Sequence, residues 1–380
     1  GTGTQCLVWS CPRRGHKPNV AYIDLLSSTK PHLLVTVDNG IGLTTTLSYT
    51  TSTQLYLADR AAGIDWATRL PFPVHVVTQI EHHDAVANHR FVSSYRYRHG
   101  FYDSEEREFR GFGYVEMRDA EHVGEELGKG SFPDQTIANG EMALPPVVTK
   151  SWYHTGAWQK QTVLFDVFAT EWHAGYTSEP RLTMPAMPDA LSPPERHQAH
   201  RALAGRMLRQ EIYAEDGTEA EERPYAVEQT TFSVTRLQPT GGAPYAAFLT
   251  SPAESLSLAY EREAPLTAAP RMSHELTIEI DAYGNVIKSA SVAYAPDSAT
   301  YTEQDRTWIR ISETELFHHA DSDDTDWYRH SVPLSAKSWE ILDAPAGDIF
   351  TKAELVGAFA LTEIDFDEAL SESPERRRLL

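Results

Sequence analysis

The sequence of 380 residues holds two cysteines, Cys6 and Cys11, in the run CLVWSC. That is no disulfide framework and fits no common zinc pattern. Free thiols are expected, and the compartment is left open. Long apolar runs are missing too. None reaches the ~18 residues a membrane-crossing helix needs, and GTGTQ lacks the charged start and apolar stretch of a secretory leader. That opening, without Met, is what a piece of a longer chain would show. Positive charge is scarce, with 33 Lys and Arg against 54 Asp and Glu, a formal net charge of −21. Nucleic-acid affinity rests on cations that neutralise phosphates, so neither nucleic acid nor an anionic membrane is an expected partner. Arg376-Arg377-Arg378 is basic but short, and it follows an acidic run. There is no GxSxG, Walker loop, dinucleotide fingerprint or HExxH.

What is present is turn and strand chemistry. The chain has 23 Pro, 22 Gly and 17 Tyr, a composition of many short strands and tight turns. LLVTVDNGIGLTTTLSY (33–49) predicts a hairpin turning at Asn39-Gly40. Pro71 and Pro73 forbid a helix in LPFPVHVV, and Val74 to Ile80 suits a strand. RFVSSYRYRHGFYD (90–103) alternates again, and YVEMRD closes this group. Residues 120–146 carry no clear period and are expected to form a surface loop; KSWYHTGAW (150–158) is expected to start a new unit. In SPPERHQAHRALAG, Ser192 and Glu195 predict a capping box, Pro193 a first helical position and Gly205 a stop. HELTIEIDAYGNVIKSASVAY (274–294) is the clearest hairpin, with Leu276, Ile278 and Ile280 on one face and Asp281, Gly284 and Asn285 in the turn. Thr351 and Glu354 predict a second capping box before TKAELVGAFA.

Several stretches suggest chemistry. RGFGYVEM (110–117) nearly matches an RNA-recognition strand. Its flanks are acidic, however, and the segment between it and any partner strand contains the helix-forbidding LPFPVHVV. The better reading packs Phe109, Phe112 and Tyr114 and uses Gly111 and Gly113 for a bulge or a close approach of strands. EHHD (81–84) and His318-His319 hint at metal, but adjacent histidines on a strand face opposite ways. DSDDTD (321–326) lacks the Gly and Glu of a calcium loop. No metal or cofactor is expected. Many carboxylates could form an acid/base pair, and the sequence singles out no two of them. A β-rich hydrolase with a carboxylate pair therefore stays open. So does a carbohydrate- or receptor-binding β module with an exposed aromatic patch around Trp152 and Trp158.

An ordered series of segments carries a family resemblance. It comprises KPHLLVTVDNGIGLTTTLSY (30–49), DWATRLPFPVHVV (65–77), YRYRHGFYDSEEREFRGFGYVE (95–116), KSWYHTGAW (150–158), HRALAGRMLRQEIYAEDG (200–217), PYAVEQTTFSVTRLQP (224–239) and HELTIEIDAYGNVIKSASVAY (274–294). The series resembles the middle region of the B component of insecticidal toxin complexes, the Tc toxins, and IDAYGNV resembles the turn of RHS/YD repeats. The resemblance implies a mainly β fold, an RHS-like spiralling antiparallel sheet built of hairpins with a few short helices near 193–204 and 352–360. It implies the tail of a β-propeller and a linker over 1–29, and shell modules over 30–149 and 150–380. It also implies a non-catalytic section of a hollow, secreted cocoon. The implied partners are a C component, an enclosed toxic polypeptide and, through the propeller, an A component. On this reading the residues that matter are architectural: Asn39, Gly40, Pro71, Pro73, Phe109 to Gly113, Asp281, Gly284 and Asn285.

Overall fold

The computed structural model describes residues 3–10, 20–27, 29–87, 89–122, 145–159, 161–174, 179–262, 269–296, 301–319, 327–342, 349–364 and 376–380. The fold is mainly β, with 50% strand and 14% helix, as the short alternating segments require. The chain divides into two compact units. The first comprises residues 1–172, 204–206 and 212–221, and the second comprises 173–203, 207–211 and 222–380.

In the first unit, β1 (Cys6–Ser10) and β2 (Val20–Asp24) form a separate two-stranded ribbon. An antiparallel run then proceeds in sequence order through β3 (Thr36–Asp38), β4 (Leu43–Thr51), β5 (His75–Asp84), β6 (His89–Asp103), β7 (Glu108–His122) and β8 (Val147–Tyr153). The first hairpin turns where expected. Gly40 has φ +72°, and Asn39 Oδ1 accepts from the backbone N–H of Ile41 at 2.9 Å and of Leu43 at 3.0 Å. Strand β7 runs on to His122, so the expected loop is shorter at its start; residues 123–144 lie outside the described residues. β8 begins at Val147 and pairs with β7, which places residues 150–158 in this unit.

Two helices of this unit have no counterpart among the elements expected from the sequence. α1 (Ser52–Ala61) starts in a capping box of Thr51 and Gln54, and α2 (Gln161–Glu171) buries Leu164 and Phe168, one helical turn apart. α1 follows β4 without a loop, and α2 is rich in Val, Phe and Thr, which suit a strand equally well.

The second unit contains α3 (Pro193–Arg201), capped by Ser192 and Glu195 as expected. The helix ends earlier than the glycine suggested, with its cap at Ala202, and Gly205 (φ +80°) instead donates its N–H to the His154 carbonyl at 2.8 Å. Strand β9 (Met207–Ala214) is divided between the units. Then come β10 (Ala226–Gln238), β11 (Ala247–Ala259), β12 (Arg271–Ile280), β13 (Val286–Ala293), β14 (Trp308–His319) and β15 (Arg329–Ile341). Each pairs antiparallel with the next. α4 (Lys352–Val356), capped by Thr351 and Glu354, continues into a 3₁₀ turn over 357–360. β16 (Thr362–Ile364) runs parallel to β17 (Arg376–Leu379), which closes antiparallel onto β15.

The part of the sheet in this second unit has two unlike faces. Register aligns His274, Val292, Ile309 and Ile341 in one row and Leu276, Ala290, Ile311 and Trp339 in the next. All of these except His274 form a buried cluster with Phe350, Leu355 and Ala358 from the α4 region. The alternate residues form the other face. Its rows read Ser255, Glu275, Ser291, Arg310 and Glu340, then Thr277, Ser289, Ser312 and Ser338. Hydroxyls there bond to neighbouring side chains, as in Ser312 with Ser338 at 2.9 Å and Ser291 with Glu275 at 2.6 Å.

Candidate functional site

The stretch Phe109–Gly113 sits in β7, and its glycines act for different reasons. Gly111 has φ +84° and open space around it, so backbone conformation selects it. Gly113 is extended, and a Cβ there would lie 2.8 Å from Phe168 Cζ and 3.2 Å from His99 Cβ. Its missing side chain lets α2 approach the sheet. Opposite Phe112, Gly100 is crowded in the same way by Leu70 and by Phe112 itself, beside a break in register between β6 and β7. Arg110 is sealed in the fold. Its guanidinium meets Asp103 at 2.6 Å and the Gly156 carbonyl at 3.0 Å. Phe112 contacts Trp66, Tyr97 and Phe109. An RNA-reading strand presents its rings and cations to solvent; here Arg110 and Tyr114 are buried and Phe112 packs on other rings, with Phe109 left exposed, which argues against that reading.

Beneath this strand lies a polar cluster. The His99 side chain is fully buried, with Nδ1 accepting from the Ala67 N–H at 3.0 Å and Nε2 facing Glu171 at 3.2 Å. Trp152, wholly buried, donates Nε1–H to the other Glu171 oxygen at 3.0 Å. Arg98 spans Glu171 and Asp59, each at 3.3 Å, and Trp66 donates to Asp59 at 2.8 Å. Burial pushes the Glu171 carboxyl up, but the hydrogen bonds from His99 and Trp152 and the Arg98 charge outweigh it and hold the group below the usual carboxylate range. The cluster ties α1 and α2 to β6 and β8. Trp152 is therefore no part of an exposed aromatic patch, which corrects the carbohydrate-binding expectation at that residue.

The second unit has its own buried charges. Arg209 bridges Glu179 and Glu211, each at 2.7 Å, and the three side chains are at most 3% exposed. Tyr260 donates its hydroxyl to Glu179, and the His173 N–H reaches Glu211 at 2.9 Å. Burial and then the carboxylate of Glu179 push the Tyr260 phenol well up. Two surface pockets, of about 290 and 270 Å³, are lined by Gln198, Arg201, Tyr245 and Phe248 and by Lys30, Leu47, Tyr49 and His75 respectively, with no carboxylate in either lining.

The remaining sites are local. Among the described residues no group of three or more His, Cys, Asp or Glu side chains is placed to hold a metal ion. His82 contacts Thr45 at 3.0 Å, and His318 contacts Asp281 at 3.0 Å. Cys6 is exposed; Cys11 and DSDDTD lie outside the described residues. Pro71 and Pro73 lead towards β5, and just before it Val74 exchanges bonds with Ser52 at the start of α1, N–H to Oγ at 3.0 Å and carbonyl to N–H at 2.8 Å. In the turn after β12, Asp281 Oδ1 accepts from the N–H groups of Tyr283 and Asn285, both at 2.8 Å, and Gly284 takes φ +88°.

Comparison with known proteins places this architecture. Residues 1–156 match the family described as insecticide toxin TcdB middle/N-terminal region, and residues 198–330 match its middle/C-terminal region. Among solved structures, TcdB2-TccC3 without its hypervariable C-terminal region superposes with a TM-score of 0.76 at 26% identity over 99% of this chain and 18% of that chain. The Photorhabdus luminescens Tc holotoxin pore carrying TccC3-D651A gives 0.76 and 26% over 98% of this chain and 17% of that one. TcdB2-TccC3-Cdc42 gives 0.72 and 26% over 88% and 16%. The chain thus spans under a fifth of the length of the chains it matches. No curated protein sequence matches it.

Proposed function

The chain belongs to the middle region of the TcdB-type insecticide toxins, and from that premise we propose that it is a section of wall in a hollow shell. The shell, closed with a C component, encloses a toxic polypeptide. One observation carries the reading: two family regions match in order along a chain whose open β-sheet architecture superposes almost end to end on B-component structures. The two unlike faces of the second unit's strands support it, since a wall needs a sealed apolar layer on one side and can leave hydroxyls and charges wet on the other.

The section is non-catalytic on this proposal. Among the described residues, Asp59, Glu171, Glu179 and Glu211 are each held by Arg98 or Arg209 and by tryptophan, tyrosine or backbone donors, an arrangement that supports a structural part over the acid/base pair of a hydrolase. The A component is a further partner, engaged through other parts of the longer protein, and the assembled toxin acts outside the producing cell. The test replaces the matching segment of TcdB2 with this chain, co-expresses it with TccC3, and looks for a closed shell by electron microscopy. A closed shell that shields the C-terminal part of TccC3 from added protease is expected. A well-folded chimera that leaves the shell open would overturn the proposal.

A further inference from the structure

The turn after β12 is clasped to the β14–β15 hairpin by a histidine whose two ring nitrogens meet unlike partners. His318 Nε2 faces Asp281 Oδ2 at 3.0 Å, while its Nδ1 accepts from the backbone N–H of Ser331 at 3.1 Å. A backbone N–H can only donate, so Nδ1 carries no proton and the Nε2–H donates to the carboxylate. Ser331 is held at φ +55°, a left-handed conformation that L-residues with a side chain leave when free to do so. The β14–β15 register is broken beside it, between Phe317 and His319.

The other groups around His318 respond differently to a proton. His330 lies 4.8 Å away between ring centroids, and its Nδ1 contacts Ser331 Oγ at 2.7 Å. That hydroxyl also accepts from Asn285 Nδ2 at 2.9 Å. If His330 gains a proton, the hydroxyl rotates and accepts, and the contact survives. The Tyr283 ring lies 4.6 Å from His318 and 4.0 Å from His330, and it tolerates a cation. Asp281 is already fixed by Tyr283 and Asn285 and gains from facing an imidazolium. The Ser331 N–H alone cannot reverse its role.

We propose that His318 is a pH-operated clasp: on protonation it keeps Asp281 and the turn but lets go of Ser331, freeing the bulged start of β15. Histidine changes charge between pH ~5 and ~8, and the His318 side chain is 19% exposed, so protons reach it. The proposal does not depend on what the wall encloses. It is tested on the full chain by amide hydrogen exchange read by NMR, expressed as protection relative to the unstructured rate at each pH. From pH ~7.5 to ~5 the Ser331 amide is expected to lose at least about tenfold of its protection, while the Tyr283 and Asn285 amides stay within about twofold. His318→Asn offers Ser331 an acceptor that does not titrate, and it should abolish the loss; His330→Asn should retain it. Unchanged protection of Ser331, a joint loss at Ser331 and Asn285, or an equal loss in His318→Asn would each overturn the proposal.

Discussion

The two units each cover one face of an antiparallel sheet, and they do so by opposite means. In the first, α2 comes down on the sheet because Gly113 has no side chain, and the contact is tied by Glu171, His99, Arg98 and Trp152. In the second, plain alternation along β12, β13 and β14 lays Leu276, Val292, Ile309 and Ile311 against Phe350, Leu355 and Ala358 of the α4 region in a layer that is mostly apolar contact. A polar tie specifies one arrangement and is costly when half broken. An aliphatic layer tolerates exchange of shape and loses stability in proportion to volume removed.

Breaking the ties should cost most. Glu171→Ala takes one of the two carboxylates from Arg98 and strands the Trp152 N–H in the interior, and Arg209→Met strands Glu179 and Glu211. Each is expected to lose about 3–5 kcal/mol, read as a lower urea midpoint, with amide exchange accelerated first in the unit that carries the change. Ile311→Ala, in the aliphatic layer, should cost about 2–5 kcal/mol, and Ile311→Val only about 0.5–1.5. No similarly mild replacement should exist for Glu171; if Glu171→Gln proves as benign as Ile311→Val, the contrast between the units fails.

The glycines sharpen the comparison further. Gly113→Val drives a side chain into Phe168 and should cost about 1–3 kcal/mol by overpacking, relieved when combined with Phe168→Ala. Gly111→Val should cost about 1–2 kcal/mol through backbone strain, unaffected by Phe168→Ala. A double-mutant cycle separates the two, and both single changes are expected to lower the yield of assembled shell.

Acid should expose the same difference. The Glu171 carboxyl is depressed in the folded protein, so its contribution is present above the ordinary carboxylate pKa of ~4.3 and is lost as pH falls through its lower folded value. The acid limb of stability in the first unit should flatten in Glu171→Gln, and Ile311→Ala should leave the shape of that limb unchanged. The smallest expected effect is Thr351→Ala at the start of α4, about 0.5–2 kcal/mol, visible as faster exchange at the Glu354 amide.

Features built from neighbours along the chain are legible in the residues themselves. Asn39-Gly40 and Asp281 to Asn285 make their turns from their own side chains, and the boxes at Ser192 and Thr351 cap helices three residues away. The box at Thr51 and Gln54 carries the same signal for α1, hidden because no loop separates it from β4. Leu164 and Phe168 signal α2 only weakly. The clusters are not legible at all: His99 and Glu171 stand 72 residues apart, and Arg209 and Glu179 stand 30 apart.

The sequence by itself determined the alternation of the main strands, the turns at Asn39-Gly40 and Asp281 to Asn285 and the class of the fold, because these depend on φ, hydrogen bonding and alternation over a few residues. Only the tertiary structure decided that Gly113 makes room for Phe168 while Gly111 supplies a backbone angle, that Arg110 is buried, and that Trp152 answers to Glu171. Alternation tells a side chain which way to face, and says nothing of what will be waiting there.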